Sequence, residues 1–172
     1  KVLSLMPKKI VKLTILGEPM GKQRPRATTI NGRVRTYTPK ETTNYESMVV
    51  NPYKSQYNEK TFQHGEEVWA TVIAYFKLPK NHYHFHKRTN TLDLDKEGKE
   101  MLEGNIRPMK TPDCDNIAKI CLDALNDIAY PDDSQITCLL VLKFWSENPR
   151  VEITLESQEG EEGHRGSEHL NS

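Results

Sequence analysis

The stretch TPDCDNIAKICLDALNDIAYPDDSQ, residues 111–135, decides how this chain is read. Ile117, Ile120, Cys121, Ala124 and Leu125 recur at the three- and four-residue spacing of a helix, and Asn116, Lys119 and Asp123 share the opposite face. The spacing predicts a helix over 115–126, apolar on one side. Asp113 and Asp115 stand at its entrance. In an extended stretch residues two apart point to the same side, so both carboxylates can face one point. Asp132 and Asp133 follow Pro131 in a turn just before a strand. One of them can supply the next ligand, while the other holds a water or orients its neighbour. Oxygen donors of this kind suit a hard divalent cation such as Mg²⁺. Lys119 lies one helical turn after Asp115, where it can stabilise the extra charge of a pentacovalent phosphate or position an attacking water. Plainer readings exist for each residue taken singly: a helix N-cap for Asp115 or Asn116, turn residues for Asp113, Asp132 and Asp133, a surface pair for Lys119 with Asp115 or Asp123. Taken together, these four acids and one lysine within 21 residues, framing one helix, favour a metal site.

Towards the N-terminus the charge changes sign. Residues 1–40 carry ten Lys and Arg against one acid, Glu18, although the whole chain is formally neutral. Within GEPMGKQRPR, residues 17–26, Lys22, Arg24 and Arg26 alternate, so an extended chain presents them as a rail for phosphates. Pro25 keeps Arg24 out of a helix. Arg33, Arg35 and Tyr37 extend the rail, and Asn31-Gly32 makes 18–37 a basic loop or a short hairpin. The plainer reading is a solvated basic loop.

The remaining segments give the order strand (8–16), helix starting at Thr38-Pro39-Lys40-Glu41, strand (66–77), variable loop (81–111), helix (115–126) and strands (135–145 and 150–156). Thr38 and Glu41 form a capping box, Tyr45, Met48 and Val49 fall on one face, and Asn51-Pro52 kinks or stops that helix. The variable loop has room for a short helix at 94–103. Glu147-Asn148-Pro149 joins the last two strands as a hairpin. The fold class is therefore α/β or α+β, a single domain over 1–156 with a mixed sheet packed against two main helices, followed by a disordered polar tail over 157–172.

Three other features bound the chemistry. His82, His84 and His86 alternate, but without a further soft ligand they favour no transition metal, and Lys80, Lys87 and Arg88 beside them fit loose nucleic-acid contacts. Tyr83 and Phe85 pack under the loop or stack on an exposed base. Cys114, Cys121 and Cys138 are odd in number with no CxxC spacing, which argues against disulfides and zinc and for a reducing compartment. No signal peptide is recognised and no segment approaches the ~20 apolar residues of a membrane span, so the expected location is cytoplasmic, with no membrane partner.

The two constellations together resemble the RusA family of Holliday junction resolvases, over roughly residues 10–156. The family's early Gly-x-Pro-x-x-Lys-x-Arg-Pro-Arg pattern is met by Gly17, Pro19, Lys22, Arg24, Pro25 and Arg26. Its Pro-Asp-x-Asp-Asn-x-x-Lys-x-x-x-Asp-Ala-Leu helix is met by Pro112 through Leu125, and its Asp-Asp-x-Gln by Asp132, Asp133, Ser134 and Gln135. The resemblance implies a homodimer that resolves four-way DNA junctions by paired nicks in recombination and repair, with Mg²⁺ or Mn²⁺, often from a phage or prophage. By matched position it implies Asp113, Asp115 and Asp133 as catalytic acids and metal ligands, Asp132 as an accessory acid of the metal set, and Lys119 as the catalytic lysine. Lys22, Arg24, Arg26, Arg33, Arg35 and Lys110 are the expected DNA contacts. Two departures stand out: Thr111 replaces a common Lys, with Lys110 one place earlier, and Asp127 replaces a common Gly. The alternatives are a branched-DNA-binding protein without activity and a small acidic metal- or partner-binding domain.

Overall fold

A computed structural model describes residues 9–157. The expected tail lies outside these residues except for Ser157, which ends the last strand.

Four strands form the main sheet: β1 (Ile10–Leu16), β4 (Val68–Lys77), β7 (Ile136–Ser146) and β8 (Arg150–Ser157), in the order β1-β8-β4-β7. β8 runs antiparallel to both neighbours and β4 runs parallel to β7, so the sheet is mixed. Alternation makes one face apolar. Val11, Leu13 and Ile15, then Val151, Ile153 and Leu155, then Val68, Ala70, Val72, Ala74 and Phe76 are all buried on it. Against this face pack α1 (Lys40–Gln56) and α3 (Cys114–Leu125). The mixed sheet with two main helices is the expected fold class.

Helix α3 carries its apolar stripe where the periodicity puts it: Ile117, Ile120, Cys121 and Leu125 are fully buried. Burial drives the Cys121 thiol up to about 12, which leaves it an inert core residue. Leu125→Ala is expected to cost about 2–5 kcal/mol, read as a lowered midpoint in denaturant unfolding with an unchanged slope.

Several local expectations change. The hairpin expected of the last two strands does not form, because β4 lies between β7 and β8 and the 147–149 turn crosses its end. Leu78 N–H donates to Ser146 O at 3.0 Å and Gly17 N–H to Pro149 O at 2.9 Å, so the turn is tied to β1 as well. A turn signal shows that the chain reverses, and says nothing of which strand becomes the neighbour. Pro52 does not stop α1: the buried Tyr53 holds the last turn, donating its hydroxyl to Glu59 O at 2.9 Å and stacking on Tyr57. Pro39, not Thr38, occupies the N-cap, without a side-chain cap, so the box with Glu41 is out of register. Met48 lies off the buried face, at 44% exposure.

The 81–111 segment is more ordered than its polarity suggests. It contains a hairpin of β5 (Tyr83–His86) and β6 (Thr91–Leu94) and then α2 (Lys96–Leu102). Asp95 organises it, accepting from Gly98 N–H at 2.6 Å as the cap of α2 and lying 3.1 Å from Nδ1 of the buried His82. The backbone bond to Gly98, and then the histidine contacts, hold the Asp95 carboxyl below its ordinary range. His82 is thus a partnered histidine at the base of a hairpin. Asn31-Gly32 makes the expected turn: β2 (Arg26–Ile30) and β3 (Arg33–Tyr37) form an antiparallel pair around it, with both turn residues at positive φ. No helix among the described residues is long and apolar enough to cross a membrane.

Candidate active site

Asp113 occupies the N-cap of α3, yet its side chain makes no cap bond. A capping Asp contributes about 0.5–2 kcal/mol, so leaving this exposed carboxylate uncommitted forgoes stability at a helix start. Asp115 lies inside the first turn of α3. The two acids are therefore not successive positions of an extended chain, and each lines a groove beside the helix start. Asp113 lines one of about 330 Å³ with Pro19, Gly21 and Pro112. Asp115 lines another of about 360 Å³ with Lys119, Asp123 and Asp133, walled by Leu122, Ile136 and Leu139.

The far wall of this second groove comes from the chain after α3. Asn126 and Tyr130 bridge a tight turn, and the buried Tyr130 donates its hydroxyl to Leu122 O at 2.7 Å. Burial pushes this phenol well up, with the charges of Asp133 and Asp123 adding to it. A single 3₁₀ turn, Asp133–Gln135, follows. Asp132 caps it, accepting from Ser134 N–H at 2.9 Å, and the Ser134 hydroxyl, then this backbone bond, hold the Asp132 carboxyl below its ordinary range. Gln135 fastens the turn to the 63–66 loop, donating Nε2–H to Gln63 O at 2.7 Å and to Glu66 O at 2.9 Å. So Asp132 holds the turn through one carboxylate oxygen, Gln135 anchors it, and Asp133 lines the groove.

The expected four-carboxylate set is accordingly divided. Among the described residues no three His, Cys, Asp or Glu side chains converge with metal-ligand spacing. Asp115 and Asp133 remain on one groove, and both offer oxygen donors only. A magnesium-type ion commonly takes one or two protein carboxylates and fills its shell with waters and phosphate oxygens, so this pair fits such an ion. Lys119 is 61% exposed on the same groove, with its Nζ 3.7 Å from Asp123 Oδ2. Asp123 was absent from the expected site residues. Its spacing of eight from Asp115 and four from Lys119 was the available signal.

The basic segment divides too. Arg24, Arg26, Arg33 and Arg35 are exposed. In the β2–β3 register Arg26 pairs with Tyr37, Thr28 with Arg35 and position 30 with Arg33, so Arg26, Arg33 and Arg35 share one face of the hairpin. Lys22 is not on this rail: its Nζ is paired with Glu46 and lies 3.3 Å from Asp123. Lys110 places its ammonium 5.1 Å from the Phe76 ring, and its carbonyl accepts from Lys143 Nζ, which also donates to Pro112 O at 3.1 Å.

The loop before the hairpin is docked on α3. Lys22 N–H donates to Asn116 O at 3.0 Å. A Cβ added at Gly21 would lie 2.7 Å from Pro112 Cβ and 3.1 Å from Asn116 Cβ, neither of which can yield. Gly21→Ala is expected to lift the loop, costing about 1–3 kcal/mol, and hydrogen exchange should then show the Lys22 amide losing protection while the β4 and β8 amides keep theirs.

Asp127 has a positive φ of 58°, which accounts for the preference for glycine there, and its carboxylate pairs with Lys60 Nζ at 2.6 Å.

A family model described as Endodeoxyribonuclease RusA matches residues 17–156. The "Uncharacterized protein YqaN" of Bacillus subtilis (strain 168) is 37% identical over 146 residues, covering 84% of this chain and 94% of that protein.

Proposed function

Because the chain belongs to the RusA family of endodeoxyribonucleases, we propose that it is a magnesium-dependent endonuclease that resolves four-way DNA junctions. The observation that carries this reading is the shared groove of Asp115, Lys119 and Asp133, close to the helix end on which the basic segment is docked.

In this reading Asp115 and Asp133 hold the ion, with Asp113 at the neighbouring groove as a further acid of the site and Asp132 as an accessory acid that fixes the turn. When bound, magnesium supplies charge neutralisation at the phosphate and a more acidic water. Lys119 projects its ammonium into the groove, where it offsets the negative charge that grows on the phosphoryl oxygens during in-line attack by water. Arg24, Arg26, Arg33 and Arg35 hold the DNA backbone, and Lys110 contributes from the segment before α3. Such contacts fix register without reading sequence. A homodimer presents two such grooves related by a two-fold axis, matching a junction of approximate two-fold symmetry and giving paired nicks. Recombination and repair, in a phage or prophage setting, is the process this activity serves.

The test is incubation of a synthetic four-way junction and a linear duplex of the same sequence with the protein, in Mg²⁺ and in EDTA. Nicking of the junction alone, only with Mg²⁺, is expected, with retained binding in EDTA. Binding without cutting in Mg²⁺ or Mn²⁺ would replace the enzyme with a branched-DNA-binding protein. That second reading draws on the divided carboxylates.

A further inference from the structure

Lys22 comes first in a row of alternating cations, and such a row reads as a contact to phosphate. Its surroundings argue for another role. The side chain is only 23% exposed; its Nζ donates to Glu46 of α1 and lies 3.3 Å from Asp123 Oδ2 of α3. The same Asp123 oxygen lies 3.7 Å from Nζ of the open Lys119. One carboxylate oxygen is thus shared between a covered ammonium and an exposed one. The backbone fixes the covered one in place, through the Lys22 N–H bond to Asn116 O and the close contact of Gly21 with Pro112. Partial burial draws the Lys22 pKa down, but Glu46 and then Asp123 more than reverse this, and the net shift is upward. The ammonium is charged and already has two anionic partners, so a phosphate could be added only by giving one of them up.

We propose that Lys22 is a positioning residue and not a DNA contact: it clamps Glu46 and Asp123 across the α1–α3 seam and so sets how strongly Asp123 holds Lys119 at the groove. The inference rests on the reading of that groove as the nuclease site. With Lys22 present, the Asp123 charge is divided between two cations. Without it, Glu46 loses its partner and Asp123 is left to Lys119 alone, which it draws back along α3, away from a phosphate in the groove.

The experiment compares the full chain with Lys22→Met, Lys22→Arg, Glu46→Gln and Arg24→Ala on a four-way junction. Affinity is measured in EDTA over a range of salt, and single-turnover cleavage in Mg²⁺ at saturating protein. Removing one phosphate contact lowers the slope of log affinity against log salt by about 0.9, which is expected of Arg24→Ala. Lys22→Met is expected to keep the wild-type slope while cleavage slows about tenfold, with Lys22→Arg recovering most of the rate. Glu46→Gln separates the two roles by sign. If Lys22 contacts DNA, freeing it from Glu46 tightens binding and steepens the slope. If it is a clamp, binding is unchanged and Lys22 passes wholly to Asp123, so Lys119 is held less tightly and cleavage is kept or quickened. A slope loss of about 0.9 in Lys22→Met, or tighter binding in Glu46→Gln, overturns the proposal. Should Lys22→Met unfold, Glu46→Gln alone decides. Should the wild type bind without cutting, the nuclease reading fails, and the two slopes still decide whether Lys22 touches DNA.

Discussion

Asp115→Asn should bind a four-way junction with wild-type affinity and cut it at least about 10³-fold more slowly. The substitution keeps the size of the side chain and removes the charge. Asp115 is exposed in the first turn of α3 and takes no part in the core, so the fold survives its loss. What it loses is one of the three carboxylates that line the groove, an oxygen donor of the kind that suits a hard cation. An acid near a helix N-terminus also stabilises the helix, by about 0.3–1 kcal/mol, so a small drop in melting temperature is expected beside the loss of rate. The measurement is single-turnover cleavage with junction affinity in parallel. A variant that cuts within tenfold of wild type would remove Asp115 from the site.

Lys119→Met is the second large effect, with an expected loss of about 10²–10³ in the cleavage step. The ammonium is exposed on the groove and its only ion-pair partner among the described residues is Asp123, so it is available to charge developing on the phosphate. An exposed pair at this helical spacing contributes about 0.3–0.5 kcal/mol to stability, so the variant should melt close to wild type. The loss should fall on the rate at saturating DNA, because Lys119 acts on the transition state more than on ground-state binding. Equal weakening of binding and of rate would make Lys119 an ordinary phosphate contact.

The elements that position this site differ in how much of them the chain discloses. Helix α3 was readable because its stripe of Ile117, Ile120, Cys121 and Leu125 is local, and the 3.6-residue period alone specifies it. The β2–β3 hairpin was readable because Asn31-Gly32 imposes its turn, and the register then gathers Arg26, Arg33 and Arg35 on one face. The neighbours of β8 were not readable. Glu147-Asn148-Pro149 reverses the chain with or without β4 between the two strands, and pairing with β1 is decided more than 130 residues away along the chain. The candidate site divides in the same way. Residue types and spacing near α3 were legible, but the partition of the acids was not. It depends on Asp113 leaving its cap unmade, on Asp132 being taken up by Ser134, and on Gln135 reaching the 63–66 loop. Lys22 looked like its arginine neighbours because alternation in an extended stretch says which side a residue is on, not what waits there. Glu46 and Asp123 come from two separate helices, and only their packing brings them to Lys22.

The most direct test of the account uses a supercoiled plasmid that extrudes a cruciform, incubated with the protein in Mg²⁺ and resolved into supercoiled, nicked and linear forms. Two coordinated nicks across the junction within one binding event give linear plasmid without first accumulating the nicked circle, and this is the expected result. A plasmid left supercoiled, or nicked equally whether or not it carries the cruciform, would contradict junction resolution by this chain.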